Sequence, residues 1–153
     1  MPLASRPPTS IARPAGTLRR RLGDEAERFV ARRLTALGWT ILAAGVRVGR
    51  DELDLVCLEP GVPPTLVFVE VRSRSSARFG APEETLDGAK IARTYRAAFA
   101  LLRGRQLPDG ASLPALPWRI DLVAVDARPP AGQGARHVAD DVPMRHLRGV
   151  TPG

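Results

Sequence analysis

The chain has 153 residues, 44% of them hydrophobic and 25% charged, which suits one folded domain and excludes a wholly disordered chain. No apolar run approaches the roughly 20 residues that span a bilayer. The single cysteine, Cys57, excludes both an internal disulfide and a zinc site built on cysteines, and the cytoplasm is the expected compartment. The formal net charge is +7, yet residues 1–21 hold five arginines and no acid, leaving +2 for the remainder. Charge therefore argues for a basic arm more than for a basic core.

Residues 1–16, rich in Pro, Ser and Ala, read as a flexible basic N-terminal arm without the apolar stretch of a signal peptide. Leu18, Leu22, Ala26, Phe29, Val30, Leu34 and Leu37 then recur in steps of three and four, predicting a helix over 17–37 that stops at Gly38. Arg33 falls inside the apolar arc and must snorkel or pair. Residues 39–42 read as a short first strand, and Gly45, Gly49 and Arg50 as a turn region. Residues 53–58 form the second predicted strand and residues 65–73 the third, an antiparallel pair across the loop Pro60-Gly61-Val62-Pro63-Pro64. After a polar loop, a helix from about 83 or 86 to 103 sets Ile91, Thr94, Tyr95, Ala98, Leu101 and Leu102 on one side, with Lys90, Arg93, Arg96 and Arg103 on the other. Residues 118–125 read as a fourth strand. The organisation expected is an α/β domain over 17–127, helices packed on a mixed sheet, followed by a Pro/Gly-rich tail over 128–153.

The second and third strands carry the chemistry. Asp54 and Glu70 each interrupt an apolar run that reads as buried. A carboxylate there is costly unless paired, protonated or bound to a cation. Side chains alternate along a strand, so Glu52 shares a face with Asp54, and Glu70 with Arg72. Paired strands would gather all four on one face. Two readings fit. Carboxylates, a backbone carbonyl and waters form the hard oxygen set that Mg²⁺ accepts, with Arg72 as an adjacent cation. Alternatively, the acids form ion pairs with Arg72 at a sheet surface. Elsewhere, Asp121 reads as a structural acid paired with a nearby arginine, and Trp39 and Trp118 as core or core-edge residues. His137 and His146 have no matching ligand spacing and read as solvent-exposed or incidental.

The order and spacing of several motifs together form a pattern. These are Gly23-x-x-x-Glu27, Leu34, Gly38-Trp39, Arg47, DELDLV at 51–56, FVEVRSR at 68–74, FGAPEE at 79–84, Lys90 and RIDLVAV at 119–125. Over residues 19–126 the chain resembles the YraN-type family of small bacterial proteins, UPF0102. That family is similar to the PD-(D/E)xK nucleases, archaeal Holliday junction resolvases in particular. The resemblance implies a restriction-endonuclease-like fold, a mixed β-sheet flanked by helices. It implies Asp54 and Glu70 as ligands of Mg²⁺ or Mn²⁺, with the Val71 carbonyl as a third, and Glu27 as the helix-one glutamate that helps hold the metal or its water. Arg72 stands where the nuclease pattern has Lys. An arginine cannot act as a neutral base, but it can hold phosphate or orient water. Asp51 stands for the motif's Gly, Gly45 where Asn is common, and Arg33 where an aromatic is usual.

Lys90, Arg93 and Arg96, with Arg74, form the candidate nucleic-acid contact, since a basic stripe can follow a phosphate backbone. The alternative is a solvated helix face. Aromatics are only 5% and are not interleaved with the basic residues, so recognition of shape or backbone fits better than base stacking. The leading expectation is a metal-dependent endonuclease-like protein acting on DNA phosphodiesters, branched DNA included. A non-catalytic nucleic-acid-binding module of the same fold and a protein–protein adaptor are the alternatives. A homodimer is implied only by analogy with junction resolvases, whose substrates have two-fold symmetry.

Overall fold

The structure, a computed structural model, describes residues 15–74, 88–126 and 143–152, with the side chains of residues 15–24 and of Arg74 outside the description. Helix α1 runs Ala15–Ala36, as the periodicity predicts. Ala26, Phe29, Val30 and Leu34 are fully buried. Arg33 resolves its position in the apolar arc by laying its guanidinium over the Phe29 ring, 5.7 Å from the centroid. The helix ends in a Schellman turn. Gly38 takes φ +93°, the Gly38 amide donates to the Thr35 carbonyl and the Trp39 amide to the Leu34 carbonyl. Leu37, expected on the apolar face, lies beyond the last helical turn and is 64% exposed.

The strands are β1 (Thr40–Val48), β2 (Asp51–Glu59), β3 (Thr65–Arg74), β4 (Trp118–Asp126) and β5 (Met144–Leu147), and helix α2 (Gly88–Gly104) connects β3 to β4. They form one mixed sheet in the order β1-β2-β3-β4-β5. The β1–β2, β2–β3 and β4–β5 pairs are antiparallel. β3 and β4 are parallel, with α2 as the crossover. One apolar layer joins Phe29, Val30 and Leu34 of α1 to Leu55, Cys57, Val67, Val69, Val123 and Val125. The other joins Ala97, Ala98 and Leu101 of α2 to Leu53, Val56, Leu66, Phe68 and Ile120. β3 and β4 are covered on both faces, which explains why they read as near-continuous apolar runs. Among the described residues no helix is long and apolar enough to cross a membrane.

In the sheet, two parts of the sequence reading need correction. The first strand extends to Val48, so Gly45 is a strand residue, and only Gly49 and Arg50 make the turn. Gly45 has φ +59°, a left-handed backbone inside a strand. Glycine and asparagine are the residues that adopt it most readily, so either would preserve the backbone here. Gly45→Ala should cost about 1–2 kcal/mol in urea unfolding, and Gly45→Asn markedly less. Equal losses would mean that backbone conformation is not what this position demands. The second correction is at the other end of the chain. A fifth strand, which no periodicity announced, adds Met144–Leu147 to the outer edge of β4.

Candidate functional site

β2 and β3 pair from Glu59↔Thr65 to Leu55↔Val69, and there the register ends. β2 continues only with β1, and β3 only with β4. Asp54 and Glu70 are the next residues on the two parting strands. Leu53 packs in the α2-side layer and Leu55 in the α1-side layer, although strict alternation would put both on one face. The strand therefore twists at Asp54. Where a ladder bond from β2 would have been, the Val71 amide donates to Asp54 Oδ2 at 2.8 Å. The carboxylate substitutes for a missing strand partner, which is why it is tolerated in an apolar run.

The parting draws acids together. Glu27 of α1, Glu52 and Asp54 each bring a carboxylate oxygen within 4.8 Å of the others. Glu70 joins through a hydrogen bond to Asp54. Arg72 Nη2 lies 3.2 Å from Glu70 Oε1, with both side chains about four-fifths buried. Burial, followed by the charge of Asp54, pushes Glu70 up to about 8, against the pull of Arg72 and Lys90. Burial likewise raises Asp54, opposed by hydrogen bonds from the Val71 amide, Glu70 and Glu27 and by the charge of Arg72. The two acids are thus a proton-sharing pair near neutral pH, short of positive charge despite Arg72.

Asp54, Glu70, Arg72 and Glu27 are therefore brought to one place. Val71 contributes its amide to the site. Lys90 faces Glu70 closely enough to lower its pKa, and Arg93 is exposed on the adjoining turn of α2. Arg96 makes a bidentate pair with Asp51, its Nε 2.8 Å from Oδ2 and its Nη2 2.9 Å from Oδ1. Asp51 thus ties β2 to α2. The Arg74 side chain and residues 79–84 lie outside the described residues. The sequence reading put Glu52 on the right face but not among the site residues; the acid-x-acid spacing of Glu52 and Asp54 was the available signal.

A second charged cluster lies toward the opposite end of the sheet. Asp121, fully buried, accepts from Arg119 Nε (2.8 Å) and Nη2 (3.0 Å) and from the Gly149 amide (2.9 Å), and pairs with His146 Nε2 (2.7 Å). Arg119 also reaches Glu59 at 2.9 and 3.1 Å, and Arg148 bonds the same carboxylate. Trp39 lies against Arg119, Arg148 and His146. The arginine partner of Asp121 is as expected. His146 is not incidental: its side chain is 15% exposed and holds β5 to β4. His137 lies outside the described residues. Cys57 is buried nearby, and burial with the charge of Asp121 pushes its thiol up to about 12, so it is no nucleophile.

A mixed sheet flanked by two helices, with carboxylates where two strands part, defines an α/β protein of restriction-endonuclease-like arrangement. The model of the uncharacterised protein family UPF0102 matches residues 26–125, and the chain belongs to that family. It is 40% identical over 129 residues to a UPF0102 protein of Roseiflexus castenholzii, covering 84% of this chain and 91% of the relative. A UPF0102 protein of Symbiobacterium thermophilum is 38% identical over 112 residues, 72% of this chain and 86% of the relative. One from Deinococcus radiodurans is 35% identical over 111 residues, 72% and 85% respectively.

Proposed function

We propose that this chain is a metal-dependent, nuclease-like protein that acts on DNA phosphodiester bonds, with branched DNA as the candidate substrate. The observation that carries the reading is the meeting of Glu27, Glu52, Asp54 and Glu70 at the parting of β2 and β3, with Arg72 against Glu70. The donor chemistry fits Mg²⁺ or Mn²⁺: the side-chain donors are all carboxylate oxygens, with no sulfur or imidazole among them. Burial raises both acids, and the charge of Asp54 raises Glu70 further, the condition a bound cation relieves. Asp54 and Glu70 would hold the ion, with Glu27 and Glu52 against it or its waters and the Val71 carbonyl as a further oxygen. Such an ion, when bound, lowers the pKa of water and offsets charge on a phosphoryl oxygen.

The protein's own groups do the rest. The Val71 amide orients Asp54. Arg72 stays charged and offers its guanidinium to a phosphate oxygen in the transition state. It cannot take a proton from water, so a carboxylate must receive it. Glu52, exposed beside Asp54, is positioned for that. The same arginine favours the second reading, a nucleic-acid-binding module of this fold that does not cleave.

The test is a panel of labelled duplex, single-strand, flap and four-way-junction DNAs with Mg²⁺ or Mn²⁺, with Asp54→Asn run beside the wild type. The expected result is cleavage by wild type and a loss of about 10²–10³-fold or more in the variant, the scale of removing one electrostatic element of a site. Binding without cleavage of any substrate would favour the non-catalytic module. Cleavage retained in Asp54→Asn would remove this site from the chemistry.

A further inference from the structure

The three arginines around Asp51 do different work. Arg96 spends both nitrogens of its fork on the two carboxylate oxygens. Arg50, in the β1–β2 turn, and Arg93, one helical turn before Arg96, act on Asp51 only through charge. Both are exposed, and neither forms an ion pair among the described residues. Three guanidiniums against one carboxylate leave an excess of two positive charges there. The place is not a random patch. One cleft is lined by Arg50, Asp51, Ala89, Ala92, Arg93 and Arg96. A second shares Arg50, Asp51 and Arg93 and leads on past Glu52 and Lys90 to Arg72 and Glu70, the Glu52 carboxylate offsetting one of the positive charges at that end. Together they make one groove between the β1–β2 turn and the first half of α2, ending at the carboxylates.

Arg93 Nε donates to the Ala89 carbonyl at 3.4 Å, which leaves its Nη groups to the groove. A groove with two guanidiniums in no ion pair among the described residues at one end, and the proposed phosphodiester site at the other, calls for a ligand with at least two phosphates in a row. Guanidinium forks match phosphate geometry and are weakly hydrated, which favours a phosphate over a water-bound surface ion. We propose that Arg50 and Arg93 form a subsite for a backbone phosphate flanking the one at Asp54 and Glu70. Asp51 holds Arg96 out of that contact and fixes the groove wall. The substrate class is then a nucleic-acid polymer read through its backbone, not a mononucleotide, which has no second phosphodiester to fill the subsite. This rests on the nuclease-like reading above and assigns Arg50 a role that the basic stripe of α2 does not include.

The test needs no catalysis. Anisotropy titrations of a fluorescein-labelled DNA duplex, in EDTA and over a series of salt concentrations, give the slope of log affinity against log salt. The Arg50→Ala/Arg93→Ala double variant, which loses one phosphate contact, should lower that slope by about one and weaken low-salt binding at least about tenfold. Arg96→Ala should leave the slope within about half a unit of wild type. Both arginines of the double variant are exposed, and a thermal melt checks that the fold is kept. Wild-type slope and affinity in the double variant would overturn the subsite and leave the nuclease-like reading standing. A slope loss in Arg96→Ala equal to that of the double variant would overturn the division of labour. No binding by the wild type would overturn the subsite and the reading it rests on.

Discussion

Asp121→Ala will cost about 3–5 kcal/mol of folding stability, the scale of breaking a buried ion pair from one side. The side chain is completely buried in β4, and three protein groups depend on it: Arg119, His146 and the Gly149 amide. Burial alone would raise this carboxyl. The hydrogen bonds from His146, Arg119 and Gly149 outweigh that and hold it at about 2. Alanine would leave a guanidinium that is three-quarters buried with only Glu59, and would strip the Gly149 amide of its side-chain acceptor. It would also release the C-terminal segment. Beyond β5, Val150 bonds Ile120 through its amide and accepts from the Tyr95 hydroxyl at 2.7 Å, so this strap reaches from one face of the sheet to α2 on the other. Asp121→Asn keeps an acceptor and should lose less. Urea unfolding of both variants checks this, and a loss under about 1 kcal/mol for alanine, the scale of an exposed pair, would sink the account. Because the folded pKa is depressed, the stabilisation is complete above the ordinary value of 3.8 and is lost as pH falls through about 2.

The second large effect has the opposite sign. Without divalent ions, stability should fall as pH rises from the ordinary glutamate value of 4.5 through about 8, because Glu70 holds its proton more tightly folded than unfolded. The slope of unfolding free energy with pH is negative wherever the native state binds more protons. Asp54, also raised, adds to the same fall. The stabilisation is fully present below the unfolded value and is of order 2–4 kcal/mol across the window. Glu70→Gln should flatten the curve, since the amide carries no charge to desolvate. Mg²⁺ or Mn²⁺ should restore stability most at the high end, where the acids have lost their shared proton. Denaturant titrations in EDTA at several pH values, repeated with the ion, measure all three. A wild-type curve that is flat or rises between about pH 5 and pH 8 would show that Glu70 is not held protonated by the fold. The two clusters together predict maximal metal-free stability on the acid side of neutrality.

Much of the frame was legible because burial leaves a local record. The steps of three and four from Ala26 to Leu34 marked the face of α1, and Gly38 marked its end at a left-handed φ. The apolar runs around Asp54 and Glu70 identified strands covered on both sides, and the proline loop set their antiparallel pairing. An acid inside such a run is conspicuous because its desolvation is costly, and on that ground Asp54 and Glu70 stand out in the amino-acid sequence alone.

What the chain could not announce depends on residues distant along it. That β2 and β3 part at Leu55↔Val69, turning Asp54 to the Val71 amide and Glu27, is a matter of sheet twist and of which strand lies next to which. Asp51 reads as one more acid at the site, but α2 brings Arg96 to it from 45 residues away in sequence. His146 meets Asp121 across 25 residues, and β5 is only four residues long, too short for any period to show. Local periodicity records which side of an element is buried. Partners across the sheet are chosen only when both layers close, and that closure turned separate strand acids into one site.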